Sequence, residues 1–297
     1  MDGVLVVDKP VGPTSHDVVA RVRRALGDPR AGHTGTLDPS ASGVLPLVLG
    51  RATRLARFLS ARDKRYEAVI RLGWSTDTGD ALGAPTGGGT AELPGADRIE
   101  AALHAFRGTF LQQPPAYSAK KIDGRRSYAL ARARADPRPP PVWVTAREIE
   151  LLSAEADLVT VRLTCSAGFY VRSLASDVGT RLGTGGHLAA LRRVESAGYT
   201  LSDALPLDAI ERDVDAARKA IIPLARLLPD LPWVVLTPRG AARAGHGRVL
   251  GLEDLAARGG PTMAGSWMRL LDGGGELLGL ARVTGDAELL HPSVVLR

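Results

Sequence analysis

The chain has 297 residues, 44% hydrophobic and 24% charged, an ordinary balance for a globular protein with a sizeable core; at about 150 residues per domain, this length suggests two domains. A formal net charge of +6 favours a polyanionic partner, with nucleic acid the first candidate. Cys165 is the only cysteine, which excludes an intrachain disulfide and fits a reducing compartment. The sequence shows no signal-peptide pattern and no apolar run near the ~20 residues of a membrane span, so a cytoplasmic protein without membrane contact is expected.

Val4–Val7 reads as a short strand, and Lys9-Pro-Val-Gly-Pro-Thr-Ser15 as a rigid loop. Thr14 or Ser15 can cap a helix that carries Val18, Val19, Val22 and Leu26 on one face and stops at Gly27. The next stretch, Ala31-Gly-His-Thr-Gly-Thr-Leu-Asp-Pro-Ser40, holds one carboxylate, Asp38, between a turn of small residues and Pro39. Pro39 biases Asp38 toward an extended conformation, while Gly32 and Gly35 permit positive φ and leave room above the backbone. An apolar strand follows at Val44–Leu49, then helical spacing at Ala52, Leu55, Ala56 and Leu59. Tyr66, Ala68, Ile70 and Leu72 alternate with Arg65, Glu67 and Arg71, the pattern of a half-buried strand. Residues 79–95 read as an exposed loop, and Ile99, Leu103 and Phe106 as a helix face.

Residues 112–141 stand apart. Seven Lys and Arg there, including Lys120, Arg125 and Arg126, outnumber Asp123 and Asp136, a net of +5 out of the chain's +6. The segment ends in Pro139-Pro140-Pro141, a stiff connector. Strands are expected near Val142–Leu151 and Leu158–Cys165, with Cys165 a buried thiol. Gly168-Phe-Tyr-Val-Arg-Ser leads into a helix bearing Leu174, Val178 and Leu182, and a further helix or turn is expected from His187 through Leu191. Pro223, Pro229 and Pro232 break the helical pattern. Beyond them, Val234–Leu236, Arg248–Leu250, Trp267–Leu271 and Leu277–Val283 read as the short strands of a small β-rich second domain.

Six scattered histidines form no HExxH pair and there is no CxxC, so no metal site is expected. Neither a P-loop nor a dinucleotide fingerprint occurs, and no cofactor is expected. Gly183-Thr-Gly-Gly186 could bind a phosphate at a helix N-terminus or be a plain turn. What remains is one carboxylate, several rings and many cations, which suits work on a nucleotide. Phosphates need Lys and Arg, and a base taken out of its stack needs a flat partner. His33 and Tyr66 are candidates for that partner. Tyr66 could equally be core, Tyr170 and Arg172 a strand's surface, and the basic segment a solvated loop.

Four motifs, in order, resemble those of the TruB family of bacterial tRNA pseudouridine-55 synthases. Lys9-Pro-Val-Gly-Pro-Thr-Ser15 resembles the family's KPxGxTS motif, and Gly32-His-Thr-Gly-Thr-Leu-Asp38-Pro its catalytic GHxGTLDP motif. Pro114-Pro-Ala-Tyr-Ser-Ala-Lys120-Lys-Ile-Asp-Gly124, with Tyr128 and Ala131-Arg132, resembles the motif of its RNA-gripping insertion. Cys165-Ser-Ala-Gly-Phe-Tyr-Val-Arg-Ser-Leu174 resembles CSxGTYIRSL, with Phe169 standing where the family usually has Thr.

The resemblance implies an α+β fold: a mixed, largely antiparallel pseudouridine-synthase-like sheet with flanking helices over residues 1–228, an insertion at about 112–141, and a PUA-like RNA-binding domain at 229–297. It implies isomerisation of uridine to pseudouridine in the T-loop of tRNA. Asp38 matches the catalytic aspartate, Arg172 the arginine that pairs with it, and Tyr66 the tyrosine that stacks on the base. His33 matches the histidine that fills space vacated by the flipped uridine, and Tyr170 and Leu191 match residues of the base pocket. Lys9, Lys120, Arg125 and Arg126 are expected to contact the RNA, and a monomer is the default. A non-catalytic RNA-binding or RNA-folding protein, a hydrolytic glycosidase or nucleosidase, and a synthase for another RNA are the competing readings.

Overall fold

The computed structural model describes residues 1–88, 92–116, 121–122, 125–126, 139–261, 263–285 and 289–296. Strands β1 (Gly3–Lys9) and β3 (Ala41–Leu49) are apolar almost throughout because both of their faces are covered. Leu5, Val7, Leu45, Leu47 and Leu49 face one core, while Val4, Val6, Val44 and Val48 face a second. Strand β4 (Lys64–Leu72) alternates instead: Tyr66, Ala68, Ile70 and Leu72 are buried, and the residues between them are not. One side of β4 is open to water, and the period of two records it.

These strands belong to an 11-stranded sheet. The others with a part in the argument are β2 (Ala31–His33), β5 (Gly108–Gln112), β6 (Val142–Glu155), β7 (Leu158–Cys165) and β8 (Gly186–Ser196). The order is Leu205–Pro206, β1, β3, β8, β4, β7, β6, β5, with β2 beside β3. Strand β8 runs parallel to β3 and Leu205–Pro206 parallel to β1, while the other pairings are antiparallel. The expected mixed, largely antiparallel sheet is therefore what forms.

Helices α1 (Ser15–Leu26), α3 (Ala96–His104), α4 (Val171–Leu182), α5 (Leu207–Arg212) and α6 (Val214–Lys219) contribute apolar residues to the first core. Helix α1 starts where expected. The Thr14 side chain accepts from the Asp17 N–H, and Asp17 accepts in return from the Thr14 N–H. The short helix α2 (Ala56–Ser60) follows a 3-10 turn over Gly50–Leu55, and both line the second core.

The second sheet has the order β10–β9–β11–β12–β13, formed by β9 (Trp233–Leu236), β10 (Leu255–Gly259), β11 (Trp267–Leu271), β12 (Leu277–Thr284) and β13 (Leu289–Val295). Leu277, Leu280, Val294 and Leu296 from this region share the second core with β1, β3 and α2.

Several expectations need correction. His187–Leu191 is not a helix or turn but part of the central strand β8. Leu, Ala and Arg favour helix locally, yet the slot between β3 and β4 supplies ladder partners on both edges. Register shifts at Leu188/Ala190 and Arg193/Glu195 blur the alternation that would have marked a strand. Residues 79–95 are not simply an exposed loop, because Pro85–Gly88 pairs with Trp74–Thr76. Phe106 lies beyond the end of α3. In the second sheet, Arg248–Leu250 makes only an isolated bridge at Leu250, and helix α7 (Pro238–Gly245) adds an element that spacing did not suggest. Gly183 is the left-handed C-cap of α4, so Gly183–Gly186 lies at a helix C-terminus, the wrong end for a phosphate.

Candidate active site

The loop carrying Asp38 is pinned from behind by the first motif of the chain. The buried Ser15 hydroxyl donates to the Leu37 carbonyl at 3.0 Å and accepts from the Leu37 N–H at 2.8 Å. The Gly12 N–H donates to the Pro39 carbonyl at 2.8 Å. Lys9, fully buried, donates from Nζ to the carbonyls of Ala41 at 2.6 Å and Pro10 at 3.0 Å. Lys9 therefore supports the loop from within the protein and does not present its ammonium at the surface, contrary to its expected contact with RNA. Gly32 and Gly35 do not have positive φ. A Cβ on Gly35 would lie 3.5 Å from the Arg193 guanidinium and 3.8 Å from the Lys64 side chain, ordinary contact distances, so neither φ nor packing demands glycine there.

Asp38 faces a cleft of about 400 Å3. Its Oδ2 accepts from Arg172 Nε at 3.0 Å, with the arginine side chain 8% exposed and the aspartate 39% exposed. Arg172 also donates to the Thr78 carbonyl at 3.0 Å, so its guanidinium is fixed at two points. It sits on the first turn of α4, not on a strand surface. The backbone just before that turn is held by the buried Gln112 at the end of β5. Gln112 Oε1 accepts from the Tyr170 N–H at 2.8 Å, and its Nε2 donates to the Tyr170 carbonyl at 3.0 Å. Ser173 donates to the Gln113 carbonyl at 2.7 Å. The foot of the 112–141 segment is thereby tied to the helix that carries Arg172.

Tyr66, His33, Tyr170 and Leu191 line the same cleft, with Phe169, Lys64 and Arg193. Asp38 is the only carboxylate among its described lining residues. Tyr66 is core and cleft wall at once. Burial raises the pKa of its phenol, against the opposing charge of Arg193 nearby. Phe169 packs edge-on against Phe110, ring centroids 6.0 Å apart, which accounts for a large apolar side chain at this position.

Arg193 is the residue that sequence reasoning passed over. It is almost completely buried, and it donates to the Val44 carbonyl at 2.7 Å and the Gly35 carbonyl at 3.0 Å. In register it stands between Gly43 of β3 and Tyr66 of β4. A Cβ on Gly43 would lie 2.2 Å from the Arg193 carbonyl oxygen, so only glycine lets these two strands meet. The available signal was an arginine in a stretch otherwise fit to be buried, and it becomes readable only once that stretch is known to be a central strand. Lys64 is likewise buried, donating to the carbonyls of Ser60 and Arg62.

Crowded cations and burial shift the titrations here. Burial, with Arg193 nearby, lowers the Lys9 ammonium to about 8 against the opposing pull of Asp38. Burial and Arg193 lower Lys64 to about 8. Burial lowers His33 to about 4, helped by His16, whose ring lies 5.2 Å away, and by Arg193. At neutral pH His33 is thus an uncharged flat ring. The Cys165 thiol is buried as expected, and burial raises it to about 12.

Lys120 lies outside the described residues. The backbones of Arg125 and Arg126 pair with Lys121–Ile122 as a two-stranded ladder, and their side chains lie outside the description.

Residues 23–171 match the N-terminal domain of the TruB family pseudouridylate synthases, and residues 172–229 match the C-terminal domain of tRNA pseudouridylate synthase B. A tRNA pseudouridine synthase B of Solibacter usitatus is 44% identical over 100% of both chains. Another, of Burkholderia mallei, is 44% identical over 96% of this chain and 94% of its own. Among solved structures, an H/ACA ribonucleoprotein bound to a substrate RNA containing 2′-deoxyuridine superposes with a TM-score of 0.76 and 26% identity, over 99% of this chain and 85% of that one. A Cbf5–Nop10–Gar1 complex gives 0.76 and 28%, over the same shares. The chain belongs to the TruB family of pseudouridylate synthases, enzymes that convert uridine to pseudouridine.

Proposed function

We propose that the chain converts the T-loop uridine of tRNA, position 55, to pseudouridine, with Asp38 as the catalytic carboxylate acting on a flipped-out base. The observation that carries this reading is the Asp38–Arg172 ion pair in a cleft whose described lining holds no second acid. The reaction is an isomerisation. The C1′–N1 bond breaks, uracil turns within the cleft, a C1′–C5 bond forms, and the proton on C5 is lost while N1 gains one. Nothing is oxidised or reduced.

Asp38 must be ionised to attack as a nucleophile or to take a proton, and Arg172 holds its rotamer and stabilises its charge. Tyr66 stacks on the base and can move a proton through its hydroxyl. His33 fills the place the uridine leaves, which suits an uncharged ring, and Tyr170 and Leu191 complete the pocket. A mostly apolar wall keeps water from the detached uracil. A hydrolytic glycosidase would ordinarily need two carboxylates flanking the bond, and the cleft offers Asp38 alone among its described residues.

In this reading residues 1–228 form the catalytic domain, and the basic 112–141 segment, with Lys120, Arg125 and Arg126, grips the T-arm. Residues 229–297 form a PUA-like RNA-binding domain. The enzyme works as a cytoplasmic monomer without cofactor. Among the described residues no helix is long and apolar enough to cross a membrane, and no cluster of metal-ligating side chains occurs.

An unmodified tRNA transcript tritiated at uracil C5 tests the proposal. Wild-type protein is expected to release tritium and to place pseudouridine at the T-loop position. Asp38→Asn is expected to bind the RNA without releasing tritium. Near-normal turnover by Asp38→Asn would remove Asp38 from the mechanism, and modification of another uridine would reassign the site.

A further inference from the structure

Trp267, at the start of β11, carries two guanidinium groups. The Arg57 carbon Cζ lies 5.2 Å from its ring centroid and the Arg282 Cζ 5.1 Å. Arg57 also sits 4.7 Å over Phe58, which itself meets Trp267 edge-on at 4.8 Å. Arg57 belongs to α2, beside the large sheet, whereas Arg282 belongs to β12 of the small one. Their meeting on one ring is therefore a product of how the two sheets pack. Arg54, in the turn before α2, donates to the Val295 carbonyl across the same seam.

These two arginines are handled differently from those on the open face of the large sheet. There Arg71 pairs with Asp157 at 3.0 Å, and Arg162 with Glu67 at 3.1 Å and Glu150 at 3.0 Å. Arg57 and Arg282 are exposed, and among the described residues neither has a carboxylate within ion-pair distance. A guanidinium resting on a ring keeps its full charge, and its in-plane N–H donors point outward. That arrangement orders a long side chain without neutralising it, which suits bidentate donation to a phosphate. The place also fits: Ser60, one turn beyond Arg57 on α2, lines the active-site cleft, and a helical turn advances only about 5.4 Å.

We propose that the Arg57–Trp267–Arg282 cluster is a phosphate-binding surface for the RNA stem that flanks the extruded nucleotide, so that the seam between the two sheets grips the substrate backbone. This rests on the tRNA reading above. It adds a sequence-independent contact, made by both sheets at once, that the base pocket does not supply.

The test is the salt dependence of binding to an unmodified tRNA transcript, measured by fluorescence anisotropy across a range of KCl concentrations. Arg57→Gln/Arg282→Gln is expected to reduce the magnitude of the slope of log K against log[salt] by about two, at about 0.9 for each duplex phosphate contact. The same pair is expected to raise the KM for tritium release. Arg57→Lys/Arg282→Lys, which keeps the charge, is expected to recover most of the slope. An unchanged slope in the Gln pair overturns the proposal, and if its melting temperature falls at the same time, the cluster is a staple between the sheets. Wild-type protein that binds tRNA with this slope yet forms no pseudouridine would refute the catalytic reading and leave this one standing.

Discussion

Ser15 and His33 show how single residues set up the cleft from opposite directions. Ser15 works from behind, satisfying both backbone groups of Leu37 next to Asp38. Ser15→Ala leaves a buried N–H and C=O without their partner and is expected to cost about 1–3 kcal/mol. It should also lower kcat more than it raises KM, because it loosens Asp38 and not the RNA surface; urea unfolding and initial rates check the two halves. His33 works from within. Its folded pKa of about 4 lies below the ordinary 6.5. The unfolded chain takes up that proton first on acidification, so the stability His33 contributes is full above about 6.5 and is lost as pH falls toward 4. The urea midpoint of the wild type should therefore fall relative to His33→Gln across that window. A constant gap between the two would show that the ring titrates normally.

Elements meet in this protein through glycines and buried cations. Helix α4 brings Arg172 to Asp38, and it can do so only because Gly179 lets it lie against the start of β8. A Cβ at Gly179 would lie 2.2 Å from the Gly186 nitrogen. Alanine at an open helix position is better than glycine by up to about 1 kcal/mol. Here the sign reverses, and Gly179→Ala is expected to destabilise by about 1–3 kcal/mol through overpacking. Because α4 would be displaced, turnover should fall as well. Chemical denaturation alongside tritium release measures both, and a stabilised variant would show that α4 has slack against β8.

At the scale of the whole molecule, the two sheets share a core. Val4, Val6, Val44, Val48, Leu55 and Leu59 pack with Leu277, Leu280, Val294 and Leu296. The second domain proposed from residue 229 is thus joined to the first through this core. Removing residues 229–297 would strip Leu277, Leu280, Val294 and Leu296 from this core and expose the apolar side chains they cover, a patch that soluble monomers rarely show. Calorimetry of the intact chain should accordingly show one cooperative transition, and a chain ending at Leu228 should aggregate. Two resolved transitions would mean that the shared core adds little.

Local physics was enough for much of this. The period-two alternation of β4, the capping box of α1 and its stop at Gly27 depend on neighbours a few residues away, and they are where the spacing put them. Beyond local physics, the resemblance to the TruB family brought Asp38, His33, Tyr66, Tyr170, Arg172 and Leu191 together as candidates, and all of them line one cleft. What spacing could not reach depends on partners far along the chain. Strand β8 looks helical until β3 and β4 stand on either side of it. Lys9 looks like a surface cation until the Ala41 carbonyl takes its ammonium. Arg193 acquires its place only when Gly43 and Tyr66 flank it in register. A sequence states which residues are apolar or charged, and that fixes local periodicity; burial, and with it the shifted protons and the second role of a cation, is set by contacts that exist only in the folded chain.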